Sequence, residues 1–279
     1  MGAGMTKRSW TWLINALLIA VSVLTLIPLL WMVSVSVSFM TPGESSTFPP
    51  PLWPSQPTWA NYITLFSQAG IGRYLANSIF VATVATMLSL CFNVSAGYAF
   101  AKLKFAGRDR IFRFLLGALV IPSQVAMMPL FLLLKNLGLV NTYGGVIVPA
   151  MAGIFGIFLV RQYALSIPDE LLEAARMDGA SEFRIFGVIV LPALKPIIVT
   201  LAIFTFLGTW NDFMWPLIVL TDQEFYTLPI ALASLSREHV QDNEMMMAGS
   251  VLTVLPVLLL FVALQRQYIQ GLLLGSVKG

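Results

Sequence analysis

The side chains that most often do chemistry in proteins are scarce in this sequence. Its 279 residues include one histidine, His239, and one cysteine, Cys91, so neither a histidine-based zinc site nor an internal disulfide can be assembled. No P-loop pattern is present, which argues against nucleotide binding of that kind. We therefore predict no catalytic residue, no metal and no cofactor bound by this chain itself. Clusters of basic residues interleaved with aromatics are also missing, so nucleic acid is not an expected partner.

Acidic side chains gather in one segment, where their spacing predicts two short helices. Pro168 suits a first helical turn, and the carboxylates of Asp169 and Glu170 favour the positive end of a helix dipole. Gly179 can adopt the left-handed conformation that ends a helix, and Ser181 can cap the next one. Two amphipathic helices joined by a sharp glycine turn are therefore expected.

The chemistry open to this segment, residues 166–186, is recognition of a partner. Ala174 and Ala175 form a small-residue patch that can enter a groove on another protein and pass on a rigid-body movement. The alternative is a pair of helices lying on lipid. Carboxylates such as Glu173 and Asp178 disfavour that alternative, because the lipids of an inner leaflet are themselves anionic. Docking on a protein is the preferred interpretation.

A few polar residues lie within or beside long apolar stretches. A carboxylate at the bilayer centre costs about 2.5–3.5 kcal/mol. However, Asp212 follows Pro192 by about 30 Å of helix, which places it near the outer boundary. It could line the mouth of a solute pathway beside Asn211, or simply end a helix. Asn93 and Gln124 are expected to bond neighbouring helices, with a pathway role as the alternative.

The elements that carry these residues are predicted to be membrane spans. The chain is 58% hydrophobic and 10% charged, with a mean hydropathy of +0.84, so the bilayer is its natural solvent. An all-α integral membrane protein is expected, with six transmembrane helices at roughly 10–38, 74–101, 111–134, 144–164, 188–220 and 247–265. Pro122 and Pro129 in the third span, and Pro192 and Pro196 in the fifth, predict kinks.

Basic residues predict the orientation of these spans. With six spans, 13 of the 16 lysines and arginines fall on one side, which the positive-inside rule makes the cytoplasmic side. Both termini and the segment 166–186 are then cytoplasmic. We expect two regions: 1–73, with the first span and an outer segment rich in proline and tryptophan, and 74–279, with five spans and a cytoplasmic tail.

One motif gives a specific family resemblance. The residues Glu173-Ala174-Ala175-x3-Gly179-x9-Ile189-x-Leu191-Pro192 resemble the EAA signature of ABC importer permeases in residue type and spacing. The chain is similar in particular to the sugar-import branch, the maltose-permease type. Supporting matches are Asn77-Ser78, Ala96-Gly-Tyr-Ala-Phe-Ala-Lys102, Trp210-Asn211-Asp212 and the ending Gly275-Ser-Val-Lys-Gly279.

The resemblance implies a set of partners in a bacterial cytoplasmic (inner) membrane. Such a subunit pairs with a second, homologous permease and sits on two ATPase subunits, which use ATP and Mg²⁺. The EAA helix enters a cleft on one ATPase, with Glu173, Ala174, Ala175, Asp178 and Gly179 in the contact. The carboxyl tail, here Val277, Lys278 and Gly279, reaches towards the ATPase interface. An extracytoplasmic sugar-binding protein touches the outer loop, here about 222–246, placed by position only.

The function that the resemblance implies is import of an oligosaccharide or disaccharide by alternating access, driven by the partner ATPases. The alternative is a self-contained, ion-coupled secondary transporter. Such a transporter needs ionisable groups embedded in the membrane, and the predicted spans supply almost none besides Asp212. An intramembrane hydrolase is disfavoured as well, because the spans lack a plausible acid, base or metal set.

Overall fold

The structure, a computed structural model, describes residues 7–38, 53–54, 56–238 and 243–276. Regular structure in these ranges is helical, apart from one antiparallel bridge between Ser38 and Pro57. The helices are α1 (Lys7–Ser36), α2 (Ala60–Ser67), α3 (Ile71–Lys102), α4 (Arg108–Ala118), α5 (Ser123–Asn136), α6 (Tyr143–Ala150), α7 (Ile154–Ala164), α8 (Asp169–Met177), α9 (Glu182–Ile185), α10 (Leu191–Ala193), α11 (Lys195–Trp210), α12 (Met214–Val219), α13 (Leu228–Glu238) and α14 (Asn243–Ser276). A π-helical turn, Phe186–Val190, joins α9 to α10.

Several helices are long and apolar enough to cross a bilayer. Four qualify directly: Trp10–Ser36, Ile71–Lys102, Tyr143–Ala164 and Asn243–Gln265. Two further stretches qualify only as bent pairs, α4 with α5 and the helical stretch Glu182–Ala193 with α11. The part of the chain that the structure describes therefore has four to six candidate spans, as expected for an all-α integral membrane protein.

The bend between α4 and α5 lies where a proline interrupts the predicted third span. The two helices differ in direction by 108°. Pro122 has no N–H to donate to a helical hydrogen bond. The amides just before it make hydrogen bonds to the carbonyl three residues back, as in a 3-10 helix, such as Ile121 N–H to the Ala118 carbonyl at 3.2 Å. Pro129 lies inside α5, which continues to Asn136. The stretch 111–134 is thus two helices rather than one kinked helix.

The predicted fifth span, 188–220, is also divided. Pro196 cannot donate to the Pro192 carbonyl, and the chain turns by 76° just before α11. Just ahead of Pro192, the Leu191 amide donates to the Phe186 carbonyl, five residues back, which is the π-helical bond. Further on, α11 ends at Trp210 and α12 begins at Met214.

The chain forms two compact units. The first contains the described residues of Met1–Ile71 together with Leu232–Leu255. Within it, Asn61 Nδ2 donates to the carbonyls of Ser36 and Ser38 at 2.9 and 3.0 Å, which fastens α2 to the end of α1. Most apolar side chains of α1 are exposed, as expected for a surface that faces lipid.

The second unit contains Gly72–Ala231 and the described part of Pro256–Gly279. It has two apolar clusters. The α8 cluster comprises Val94, Tyr98, Ala101, Val160, Ala164, Ile167, Leu172, Ile185, Val190, Leu194, Ile197 and Leu201. The α12 cluster comprises Val81, Ala85, Leu134, Val146, Ile147, Trp215, Val219, Leu220 and Ile230. Each cluster positions one of the two loop regions described next.

Candidate functional site

Helices α8 and α9 form a corner, residues 169–185, with the local structure that the sequence predicts. Pro168 directly precedes α8, and Asp169 and Glu170 occupy its first turn. Gly179 has φ +81°, a left-handed conformation that favours glycine. Ser181 then caps α9, its Oγ accepting from the Arg184 amide at 3.4 Å. The prediction of two short helices joined by a glycine turn is confirmed.

A buried lysine holds the start of this corner against α3. Lys102 Nζ donates to the Ile167 carbonyl and to Asp169 Oδ1, both at 2.6 Å. The Lys102 side chain is 4% exposed, whereas that of Asp169 is 73% exposed. The hydrogen bond from Lys102, followed by the lysine charge, lowers the pKa of Asp169 below its ordinary value. The segment between α7 and α8 is therefore fixed to the end of α3.

A second ion pair sets the angle between α8 and α9. Arg176 Nε donates to Glu182 Oε1 at 2.7 Å, and its Nη2 donates to Glu182 Oε2 at 3.3 Å. Tyr98 of α3 donates to the same Oε2 at 3.4 Å. The hydrogen bond to Glu182 raises the pKa of Arg176 above its ordinary value. A bidentate guanidinium–carboxylate contact of this kind constrains both the distance between the two side chains and their relative orientation.

The corner buries one face and leaves another open. Leu172, 1% exposed, anchors α8 in the α8 cluster, and half-buried Ala175 packs against that cluster. On the outside, Met177 and Phe183 are 88% and 90% exposed, and the remaining predicted contact residues are exposed too: Glu173, Ala174, Asp178 and Gly179. Four of the five predicted residues are thus exposed, as are two large apolar side chains of the same corner.

The anchors of the corner were not identified from the sequence. Lys102 and Asp169 are 67 residues apart, so no local pattern pairs them. A weak signal existed for Arg176 and Glu182, which carry opposite charges on either side of the glycine turn. Met177 and Phe183 each lie between two charged residues in the sequence, and those charged neighbours were the signal for their exposure.

The remaining predicted polar residues lie apart from one another. Asn93 is buried, donates to Ser89 Oγ at 2.7 Å and has no partner for its Oδ1 among the described residues. Gln124 is exposed in the first turn of α5. Asn211 is exposed at the end of α11, where its Nδ2 donates to the Leu207 carbonyl at 2.9 Å. Asp212, just before the N-cap residue of α12, accepts on Oδ1 from the Trp215 amide in the first turn of that helix at 3.3 Å.

The α12–α13 loop, residues 220–227, is held mainly by neutral side chains, beside one exposed ion pair between Arg73 Nη1 and Glu224 Oε1 at 3.4 Å. Asn77 Nδ2 donates to the carbonyls of Glu224 and Tyr226 at 2.8 and 2.9 Å, while its Oδ1 accepts from Tyr143 Oη at 2.7 Å. The neighbouring Ser78 Oγ accepts from the Leu228 amide at 2.8 Å. The Asn77-Ser78 pair therefore fastens this loop to α3.

A second asparagine fixes the beginning of the same loop. Asn141, at φ +60°, accepts on Oδ1 from the amides of Thr221 and Asp222 at 3.0 and 2.9 Å, and its Nδ2 donates to Asp222 Oδ2 at 2.6 Å. The predicted outer loop, 222–246, includes this region and extends through residues 239–242, which lie outside the described residues, as does the predicted tail Val277, Lys278 and Gly279. Within the described ranges, no three His, Cys, Asp or Glu side chains lie close enough to hold a metal ion.

Known proteins resemble this chain over most of its length. It is 43% identical over 227 residues to the arabinooligosaccharides transport system permease protein AraQ of Halalkalibacterium halodurans. The aligned region covers 81% of this chain and 81% of AraQ. It is 34% identical over 280 residues to the diacetylchitobiose uptake system permease protein NgcG of Streptomyces coelicolor, covering 99% of this chain and 92% of that one.

The fold is also found among solved structures. A chain from a bacterial ABC transporter involved in the import of the acidic polysaccharide alginate superposes with a TM-score of 0.81, at 23% identity, over 95% of this chain and 99% of that chain. Residues 93–273 match the model of the binding-protein-dependent transport system inner membrane component family. The matched region includes both loop regions described above. The chain therefore belongs to the family of inner membrane components of binding-protein-dependent transport systems.

Proposed function

We propose that this protein is the membrane-spanning permease subunit of an ATP-binding-cassette importer for an oligosaccharide or disaccharide. The observation that carries the proposal is the rigid α8–α9 corner, which exposes Glu173, Ala174 and Gly179 of the EAA signature together with the neighbouring Asp178. Relatives named for arabinooligosaccharide and diacetylchitobiose transport support a carbohydrate substrate. The subunit itself is non-catalytic, and partner ATPases hydrolyse ATP.

The proposed assembly contains a second homologous permease, two ATPase subunits and an extracytoplasmic sugar-binding protein. In it, this chain crosses the membrane six times, with each bent pair counted as one span and both termini in the cytoplasm. The excess of lysine and arginine on one side supports that orientation. The α8–α9 corner then faces an ATPase, the tail Val277–Gly279 reaches towards the same subunits, and the α12–α13 loop faces the binding protein.

Force transmission requires a corner that does not deform when it is pushed. The Lys102 contacts fix the beginning of α8, and the Arg176–Glu182 pair fixes α8 relative to α9. Leu172 and Ile185 bury their side chains in the same apolar cluster as residues of α3, α7 and α11. Movement of a gripped corner is thereby passed to these helices, which supports alternating access driven by closure of the partner ATPases.

The polar residues near the membrane take different proposed roles. Asn211 and Gln124 are exposed, so they are the better candidates to line a solute pathway. Asn93 is buried beside Gly156 of α7 and is assigned to a contact between helices. Asp212 accepts one hydrogen bond from the first turn of α12 and remains a candidate for the outer mouth of the pathway. The alternative, an ion-coupled secondary transporter, would need a membrane carboxylate such as Asp212 or the buried Glu244 of α14, so transport by the purified chain alone separates the two functions.

The test is ATP hydrolysis and sugar uptake by the complete transporter in vesicles, with and without loaded binding protein. Gly179→Pro and Glu173→Lys should keep membrane insertion but lose most of the stimulation by binding protein. Gly138→Pro is a matched control, because Gly138 also ends a helix at positive φ with open space around it. Lys135→Glu controls for reversal of an exposed charge.

Two results would contradict the proposal. Unchanged stimulation in both corner variants would remove the corner from the coupling mechanism. Solute uptake by the purified chain alone, without companion subunits, would favour a secondary transporter instead.

A further inference from the structure

The turn between α3 and α4 forms a strongly basic surface that the transport mechanism leaves unused. An open cavity of about 880 Å³ is lined by residues 104–110 and Arg113. Four of these residues are cations and only Asp109 is an acid, giving a formal charge of +3 (four positive minus one negative). Such a surface attracts anions.

The single carboxylate does not neutralise the cations around it. Asp109 Oδ1 accepts from Arg108 Nε at 3.0 Å, and the Asp109 carbonyl accepts from Arg113 Nε at 3.2 Å. In the part of the chain that the structure describes, no acidic side chain lies within ion-pair distance of Lys104, Arg110 or Arg113. Three cations are therefore available to a ligand.

Helix α4 is oriented by one buried ring. The ring centroids of Phe112 and Phe100 are 5.5 Å apart, and Arg161 Cζ lies 4.1 Å from the centroid of the Phe112 ring. Arg161 also donates from Nε to the Phe100 carbonyl at 3.2 Å. With Phe112 turned inwards, Arg110 and Arg113 share one outward stripe of the helix, because they are three residues apart.

An apolar stripe runs directly beside the basic one. Ile111 and Phe114, one position further along the helix, are both exposed, Phe114 at 78%. Beyond the end of α4, Val120 and Ile121 are exposed as well. A basic stripe next to exposed aromatic and aliphatic side chains is typical of a helix at a membrane interface.

We propose that this cavity binds the phosphate-bearing headgroup of an anionic phospholipid, whose acyl chains lie along Ile111 and Phe114. Arg110 and Arg113 contact the phosphate, and Lys104 adds charge from the turn before α4. An acidic surface of a partner protein would use the cations but would leave the apolar stripe without a function. Placement in the inner leaflet rests on the proposed orientation of the chain, whereas binding of the lipid does not.

The experiment uses the complete transporter, taken from vesicles of phosphatidylcholine containing a minority of phosphatidylglycerol, with retained lipids counted by native mass spectrometry. Arg110→Gln/Arg113→Gln should lower the affinity for phosphatidylglycerol by about tenfold at low ionic strength. Retention of phosphatidylcholine should not change. Arg110→Lys/Arg113→Lys should restore most binding because it keeps both charges, and Lys135→Gln should have no effect.

Further arms separate the possible ligands. Excess inorganic phosphate should leave phosphatidylglycerol in place, since free phosphate has no acyl chains to contact Phe114. If the glutamine pair does not assemble, Phe114→Gln tests the same site through its apolar stripe and should also reduce retention.

Three outcomes would overturn the proposal. These are unchanged phosphatidylglycerol retention in the variants, displacement of the lipid by inorganic phosphate, and loss of ATPase subunits while the lipid stays bound. Uptake stimulated by binding protein, measured in phosphatidylcholine alone, tests the proposed transport function separately and does not depend on this site.

Discussion

The two loop regions of the second unit are held in place by different chemistry. At the α8–α9 corner the anchors are charged, and the carboxylates of Asp169 and Glu182 remain accessible to water. At the α12–α13 loop the main anchors are the neutral, buried side chains of Asn77 and Ser78. Exposed ion pairs contribute little stability and weaken with salt, whereas buried amides are costly to leave unpaired.

Packing around two glycines shows the same difference. A Cβ on Gly145, in α6, would meet the Leu139 carbonyl oxygen and lie 2.6 Å from Val219 Cγ1. A Cβ on Gly179 would meet nothing within 4 Å. The α12 cluster is thus close-packed around a fixed loop, whereas the corner keeps free space on the side proposed to enter a partner. The loop is thus enclosed by close packing, whereas the corner, although held in place, has open space at its glycine turn.

The largest expected effect comes from filling the crowded position. Gly145→Ala should destabilise the protein by about 3 kcal/mol, because the backbone carbonyl of Leu139 must move. Gly179→Ala should cost only about 1 kcal/mol, the strain of a left-handed alanine. Apparent melting temperatures in detergent measure both. Equal losses would contradict the contrast in packing.

The next effect concerns the amide that fastens the loop. Asn77→Ala leaves the Tyr143 hydroxyl and two loop carbonyls without their partner and should cost about 2 kcal/mol. Asn211→Ala is the control, since it removes an exposed amide with one backbone hydrogen bond. Thermal stability should fall clearly in the first variant and hardly at all in the second. A loss that disappears in high salt would show that the anchor is not a neutral one.

A smaller effect is expected at the lysine of the corner. Lys102→Met keeps the apolar stem but removes the donor to the Ile167 carbonyl and Asp169, which should cost about 1 kcal/mol. Lys104→Met, at an exposed neighbouring lysine, should have little effect on stability. Hydrogen exchange of the α8 amides should accelerate in the Lys102 variant only. Acceleration in both would point to a general charge effect.

The smallest effect should appear as a pH dependence. The pKa of folded Asp169 is lowered, so its stabilising contribution is present above the ordinary aspartate pKa of about 4 and is lost as the pH falls through the folded value. Asp169→Asn should therefore be slightly less stable than the parent protein at neutral pH, and the difference should vanish in acid. Melting temperatures of both proteins across that pH range measure it. A difference that grows in acid would reverse the sign of the linkage.

Local chemistry explains what the sequence made predictable. Pro168, Gly179 and Ser181 each determine the backbone conformation of only a few neighbouring residues, so the two helices of the corner could be predicted from the sequence. The bends before Pro122 and Pro196 were expected near those prolines, but their angles depend on how the flanking helices pack. The pairing of Asn77 with Glu224 joins residues 147 positions apart, and only the folded chain brings them together.

Side-chain direction was also beyond the sequence. The sequence does not distinguish the neighbouring leucines of α8, yet Leu172 is fully buried, while Leu171 is exposed. A helix of nine residues offers too few turns for its hydrophobic pattern to fix which stripe faces inwards. The neighbours on α3 and α7 decide that.

The π-helical turn Phe186–Val190 gives the chain a place where one residue can be lost with little change of length or phase. A π turn completes about the same rotation and rise as an α turn but uses one more residue, so removing one residue there would restore ordinary α-helical bonding and leave Glu173 and Gly179 almost unmoved relative to α10. The same deletion inside the regular helix α11 would instead shorten the path by about 1.5 Å and rotate the preceding residues by about 100°. A one-residue deletion should therefore be tolerated at the π turn and not in α11.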